Sequence, residues 1–89
     1  MKLTYFLNNR YELLKLLYDN QLEVKGDTYI SLSQQEIADI AHFSKLKTNK
    51  IINELKDLDF VVPYRNIRGK YALTERALHL IQLINITEI

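Results

Sequence analysis

LSQQEIADIAHFSKLKTNKIINELKDLDFVV, residues 32–62, contains two short helical patterns separated by a tight turn and followed by a strand. Ser33 and Glu36 have the spacing of a capping box, in which a hydroxyl and a carboxylate satisfy backbone N–H groups at the start of a helix. A helix is therefore predicted to begin there and to end near His42 and Phe43. Its predicted apolar face consists of Ile37, Ile40 and Ala41.

A second helix is predicted from Ser44, whose side chain suits an N-cap. Its apolar stripe recurs at helical spacing and must face the core; it consists of Thr48, Ile51, Ile52, Leu55 and Leu58. The same geometry turns the polar residues of the helix outward, together with one leucine: Lys45, Leu46, Lys47, Asn49, Lys50 and Asn53. Two such helices joined by a tight turn are typical of a helix-turn-helix, whose second helix can enter a DNA groove.

The flanking segments complete the predicted order helix, strand, helix, helix, hairpin, helix. Asn9 and Glu12 have capping-box spacing before an apolar helix that ends near Tyr18, and 19–27 is polar and is predicted to be a loop. Residues 28–32 alternate like a strand. Two strands, starting at Phe60 and at Lys70, are joined by a turn over 66–69 and form a hairpin, after which Thr74 caps a last, largely apolar helix.

Composition limits the functions open to the chain. The 89 residues suit one domain with one modest core, and 47% apolar with 26% charged residues is typical of a globular protein. With no cysteine and two histidines, His42 and His79, a structural zinc or any other metal or cofactor is not expected. The first residues do not resemble a secretion signal and no run is long enough to span a membrane, so a cytoplasmic protein without a membrane partner is predicted.

The charges of the chain are unevenly distributed, although their formal sum is only +1. Residues 42–53 contain Lys45, Lys47 and Lys50, and residues 60–73 contain Arg65, Arg68 and Lys70. Neither window contains an acidic residue. The molecule is predicted to have one basic face, if the two windows meet in space.

The order of elements resembles the winged-helix family of DNA-binding domains over nearly the whole chain. LSQQEIADIA is similar to the first motif helix, SKLKTNKIINELKDL to the recognition helix and DFVV to the exit into the wing, while RGKYALTERAL resembles the wing's return strand and following helix in small bacterial regulators of the MarR-like kind. The family often has glycine in the turn, here His42 or Phe43, and before the exit strand, here Asp59. The resemblance implies a mainly helical α+β winged helix-turn-helix spanning residues 1–89.

Two positions on the second helix carry the most specific predictions. The Asn49 amide can bond N6 and N7 of adenine at once, whereas the lysines suit phosphates. Leu46 could contact a thymine methyl or pack toward the wing, and both stay open. The predicted DNA-contacting set is Ser44, Lys45, Leu46, Lys47, Asn49, Lys50, Asn53, Arg65, Arg68 and Lys70. The competing interpretation is that the lysines only solvate a helix face and that the hairpin's charges only protect a sheet edge.

The first and last helices, within 1–20 and 74–89, are apolar over more than the stripe that one small core requires. A homodimer is therefore predicted, with the alternatives that these faces complete the monomer core or bind another protein. The predicted dimer residues are Tyr11, Leu14, Leu17, Tyr18, Leu80, Ile81 and Ile84. Such a dimer would place two recognition helices about 34 Å apart and select a palindromic site in double-stranded DNA.

The sequence has no glycine-rich phosphate loop and no arrangement of a nucleophile with a base, so an enzyme is not predicted. Glu36 and Asp39 lie three residues apart on one helix, but they are interpreted as a cap partner and a surface residue. The leading hypothesis is a small dimeric bacterial transcriptional regulator that represses by occluding a promoter. The alternatives are a winged-helix module for protein interaction or assembly, and a DNA-binding protein of plasmid partition or replication.

Overall fold

The computed structural model describes residues 4–87, which form four helices and four strands. In chain order these are α1 (Thr4–Asp19), β1 (Leu22–Val24), β2 (Asp27–Ser31), α2 (Gln34–Ala41), α3 (Lys45–Asp57), β3 (Val61–Pro63), β4 (Lys70–Leu73) and α4 (Glu75–Thr87). The outermost residues of the two predicted dimerisation helices, 1–3 and 88–89, lie outside the described residues.

The helices and one face of the sheet enclose a single apolar core. Helix α3 contributes its predicted stripe, with Thr48, Ile51, Ile52 and Leu55 all buried. Helices α1 and α4 flank it, and the sheet adds a layer made of Ile30, Val61 and Tyr71. The core therefore holds α3 by its inner face and leaves the opposite face in solvent.

The strands form one antiparallel sheet in the order β1-β2-β4-β3. Ile30 pairs with Tyr71, and Val62 pairs with Ala72. Because successive residues of a strand point to opposite faces, Ile30 and Tyr71 face the core while Tyr29 and Lys70 face outward. The hairpin β3–β4 with its connection, residues 61–73, is called the wing below.

Three predicted helix starts are confirmed by their hydrogen bonds. Ser33 forms a capping box with Glu36, in which the Glu36 N–H donates to Ser33 Oγ at 3.1 Å and the Ser33 N–H donates to Glu36 Oε1 at 3.0 Å. Ser44 accepts from the Lys47 N–H at 3.1 Å, and Thr74 Oγ1 accepts from the Ala77 N–H at 3.2 Å. These caps are local contacts, which is why sequence spacing located them.

Two predictions in the first third of the chain are wrong. Helix α1 begins at Thr4, so Asn9 lies within the helix and cannot be its N-cap. The segment 19–27 contains β1, whose three residues pair with β2 through a two-residue turn at Lys25 and Gly26. Both turn residues have positive φ, 53° and 85°, which matches the right-handed twist of a tight hairpin.

Two of the predicted core positions are exposed. Ile40 is 47% exposed, and Ala38, at 2%, takes its place on the buried face of α2. Ile40 instead lines an open cleft beside Tyr11 and Leu16 of α1. Leu58 is the C-cap of α3 and half-exposed, because the helix ends at Asp57, one residue before it.

The predicted dimer surface is largely occupied within the single chain. Four of its seven residues, Leu14, Leu17, Ile81 and Ile84, are at most 1% exposed. Tyr11 and Leu80 are partly buried against the core, and Tyr18 is exposed. The wide apolar surfaces of α1 and α4 arise because each helix packs on more than one neighbour, so those four residues are wrong as dimer contacts. The dimer itself stays a prediction.

Candidate nucleic-acid interface

The turn before α3 sets the direction of that helix. His42 ends α2 in a left-handed conformation, with φ 60° and ψ 37°, where many helices have glycine. The Phe43 N–H then donates to the Ala38 carbonyl at 3.0 Å, which closes the end of the helix. A histidine thus achieves the turn that glycine often provides, because the next backbone bond compensates for the strain.

Helix α3 presents its predicted outward residues to solvent. Thr48 is buried, and its hydroxyl donates to the Ser44 carbonyl at 2.9 Å, so the first turn of the helix is fixed on the core side. The predicted outward residues are all exposed: Lys45, Leu46, Lys47, Asn49, Lys50 and Asn53. Leu46 is 83% exposed, so it does not pack toward the wing in this structure.

A chain of side-chain amides crosses from α2 to α3. Asn49 Nδ2 donates to Gln34 Oε1 at 2.9 Å, and Asn53 Nδ2 donates to Asn49 Oδ1 at 3.2 Å. Both ends of the Asn49 amide are therefore satisfied within the protein. The amide keeps a second N–H on Nδ2 and a second lone pair on Oδ1, and these are the groups with which Asn49 can bond a base edge.

An open groove of about 800 Å³ separates α3 from the wing. Its walls contain four basic side chains, two from α3 (Lys45 and Lys56) and two from the wing (Arg68 and Lys70). The remaining lining residues are Ser33, Gln34, Gln35, Asn49, Pro63, Asn66, Ile67, Gly69 and Tyr71. No aspartate or glutamate is among the lining residues, so every charged side chain of the groove is basic, as suits a polyanion.

The two basic windows meet only in part. Lys45 shares the groove with Arg68 and Lys70, but Lys47 and Lys50 line a second cleft of about 230 Å³, on the side of α3 that faces α1. Lys47 also lies over the Phe43 ring, 4.2 Å from its centroid. The lysines of α3 therefore form two rows on either side of the exposed Leu46 side chain. Lys45 lies toward the wing, and Lys47 and Lys50 lie toward α1.

Arg65 does not line the groove, although it belongs to the wing. Its guanidinium lies 2.7 Å from Asp27 Oδ2 and forms an ion pair with it. The Tyr64 hydroxyl donates to the same oxygen at 2.8 Å, and this bond raises the pKa of Tyr64 above its ordinary value. Asp27 thus binds two consecutive residues of the wing.

Several residues of this surface were missed in the sequence. Gln34 and Gln35 begin α2, and Lys56 lies near the end of α3 with its ammonium 5.5 Å from the centroid of Tyr71. Arg10 of α1 pairs with Glu54 beside the second cleft. Lys56 could have been found, since it recurs at helical spacing from Lys45 and Asn49. Pairings between distant segments leave no such signal.

Comparison with known proteins shows the fold. No protein-family model matches the sequence, and the search of curated proteins gives no match. Among solved structures, a transcriptional regulator of the CRP/FNR family from Thermus thermophilus matches 88% of this chain at a TM-score of 0.68 and 17% identity. The reduced, Fe(II) CO-sensing protein from R. rubrum matches 92% of it at 0.69 and 16% identity.

The predicted α+β winged helix-turn-helix fold is thereby confirmed. The neighbour from Thermus thermophilus is of the CRP/FNR family, and the MarR-like resemblance of this chain stays a prediction. This chain spans only 41% and 38% of the lengths of the two solved chains. The activities of those longer proteins can therefore be extended to this chain only as a proposal.

Within residues 4–87, no group of three or more His, Cys, Asp or Glu side chains is arranged to hold a metal ion. None of the described helices is long and apolar enough to cross a membrane.

Proposed function

We propose that this protein binds double-stranded DNA sequence-specifically as a bacterial, cytoplasmic transcriptional regulator, and that it is not an enzyme. The observation that carries the proposal is the groove between α3 and the wing, which has four basic side chains and no acidic one. A groove of one charge sign attracts the DNA backbone, and the helix beside it has the exposed face that base reading requires.

In the proposed complex, α3 lies in the major groove with the exposed Leu46 side chain toward the base edges. Asn49 and Asn53 supply amides for base reading, and Leu46 supplies an apolar contact for a thymine methyl. Lys45 faces the phosphates on the wing side, and Lys47 and Lys50 face those on the α1 side. The two rows of lysines thus match the two walls of a major groove.

The wing is proposed to contact the adjacent backbone or minor groove through Arg68 and Lys70. Both side chains lie across the groove from Lys45, so one phosphate strand can be held between α3 and the wing. The Ser44 oxygen accepts from the Lys47 N–H, so its proposed DNA contact is the donation of its O–H to a phosphate oxygen.

Homodimerisation, a palindromic site and repression by promoter occlusion are further parts of the proposal. Since Leu14, Leu17, Ile81 and Ile84 belong to the core, a dimer would have to use other apolar surface. Ile86, 68% exposed near the end of α4, is a candidate for such a contact. Sedimentation of the protein alone and bound to one duplex would measure the stoichiometry; one protomer per specific site would refute the dimer.

Selection of bound fragments from the source genome tests the function. We expect enrichment of one short inverted repeat near a promoter, bound with an affinity that falls steeply with salt. Enrichment of iterated repeats would favour partition or replication instead. Absence of salt-sensitive duplex binding at low ionic strength would refute DNA binding and favour a protein-interaction module.

A further inference from the structure

Asp27 lies at the tip of the first hairpin yet contacts the tip of the wing. Its Oδ2 accepts from the Tyr64 hydroxyl at 2.8 Å and lies 2.7 Å from the Arg65 guanidinium. These residues are 37 and 38 positions away in sequence. One carboxylate therefore ties the two hairpins of the sheet together.

The wing turn at this point has a conformation that its residues do not favour. Arg65 and Asn66 both have positive φ, 50° and 56°, and the Ile67 N–H donates to the Tyr64 carbonyl at 2.9 Å. This is the geometry of a type I′ turn, whose first central position prefers asparagine, aspartate or glycine. An arginine there needs contacts from outside the turn to hold it.

The outer face of the sheet supplies those contacts. The Tyr64 ring stacks on Tyr29 with centroids 4.6 Å apart and an interplanar angle of 18°. Arg65 lies over the Tyr64 ring at 5.2 Å, and Lys70 lies over Tyr29 at 5.0 Å. Asp27 accepts hydrogen bonds from both Tyr64 and Arg65, and so holds these two residues against the outer face of the sheet.

The two arginines of the wing are therefore placed differently. Arg65 is turned back onto the sheet and its charge is paired, whereas Arg68, three residues later, lines the groove. We infer that Asp27 is a positioning residue that selects Arg68, and withholds Arg65, as the arginine of the wing that contacts DNA. This inference rests on the proposed DNA-binding function and adds to it a determinant located outside the DNA-contacting surface.

The test compares single and double variants by titration of a bound duplex over a range of salt concentrations. Arg68→Ala should weaken binding about tenfold near 0.1 M salt and reduce the log-log slope by about 0.9 per protomer, whereas Arg65→Ala should change the affinity by less than about twofold. Asp27→Asn should strengthen binding by about three- to tenfold and steepen the slope by about 0.9 per protomer, because Arg65 is released. Adding Arg65→Ala to Asp27→Asn should cancel that gain.

Glu23→Gln is the matched control, since it removes the same charge from the neighbouring strand and leaves the Asp27 contacts in place. A gain equal to that of Asp27→Asn would show a general charge effect and overturn the inference. So would an Arg65→Ala loss as large as that of Arg68→Ala in the otherwise unchanged protein, a comparison that does not need the Asp27 variant to fold. Failure of the unchanged protein to bind any duplex would overturn the proposed function and this inference with it.

Discussion

The side-chain amide of Asn49 donates to Gln34 Oε1 at 2.9 Å and so ties the exposed face of α3 to the first residue of α2. In the absence of DNA this bond fixes the orientation of the amide that we propose to read a base. The amide is thus preorganised, and its second N–H and second oxygen lone pair stay available for a base edge.

Asn49→Ala should relax sequence preference by about 1 to 3 kcal/mol, because a bidentate contact to adenine is lost. The measurement is the ratio of affinities for the selected duplex and a scrambled one. Gln34→Ala should reduce the ratio less, since it removes only the support of the amide. Equal losses on both duplexes for Asn49→Ala would contradict its base-reading role.

The lysines should affect all DNA sequences alike. If each protomer neutralises about three phosphates, a dimer should show a log-log salt slope near −5, at about −0.9 per phosphate. Lys45→Ala and Lys47→Ala should each make the slope shallower by about 1 per protomer without changing sequence preference. Lys25→Ala is the control, because Lys25 lies in the β1–β2 turn and does not line the groove. A slope unchanged by Lys45→Ala would remove this lysine from the interface.

Ser33→Ala should lower the free energy of unfolding by about 0.5 to 2 kcal/mol, since the hydroxyl that accepts from the Glu36 N–H is lost. Urea unfolding followed by circular dichroism measures the change. Ser31→Ala, at an exposed position of β2, should be close to neutral. Equal effects of the two substitutions would show that the cap does not stabilise the domain.

The Tyr64 phenol should titrate at a higher pH than in an unfolded chain, because its hydroxyl donates to Asp27. A group whose folded pKa is raised contributes its stability fully below the unfolded pKa and loses it as the pH rises through the folded pKa. The contact therefore stabilises at neutral pH and is lost in strong alkali. Ring NMR signals of Tyr64 followed against pH would show it, and Asp27→Asn should lower the pKa. A Tyr64 pKa indifferent to that substitution would rule out the bond in solution.

The centre of the fold was predictable because its signals are local. Ser33, Ser44 and Thr74 each cap a helix through a residue three positions later, and the turn over 66–69 between two short strands located the hairpin of the wing. The three-residue strand β1 was missed, since a strand that short is defined by its partner. Ile40 was misassigned because helical periodicity fits more than one face of an eight-residue helix, and the buried face is the one that contains Ile37 and Ala38.

The site was predictable in its residue types but not in its connections. Periodicity identified the exposed face of α3, and acid-free windows identified the basic residues of the wing. The bond between Asn49 and Gln34 spans 15 positions and that between Arg65 and Asp27 spans 38, and no local pattern encodes either. Arg65 illustrates the difference, since its charge was visible in the sequence and its neutralising partner was not.

The burial of Thr48, Ile51, Ile52 and Leu55 along α3 has a consequence for the thermodynamics of association. These anchors hold the backbone of the helix in place before any ligand arrives, so little main-chain freedom is left to lose. The entropic cost of complex formation then falls mainly on long exposed side chains such as Lys45 and Arg68, at about 0.5 to 1.5 kcal/mol for each one immobilised. Binding through this helix should therefore leave its backbone unchanged and order mainly the exposed side chains.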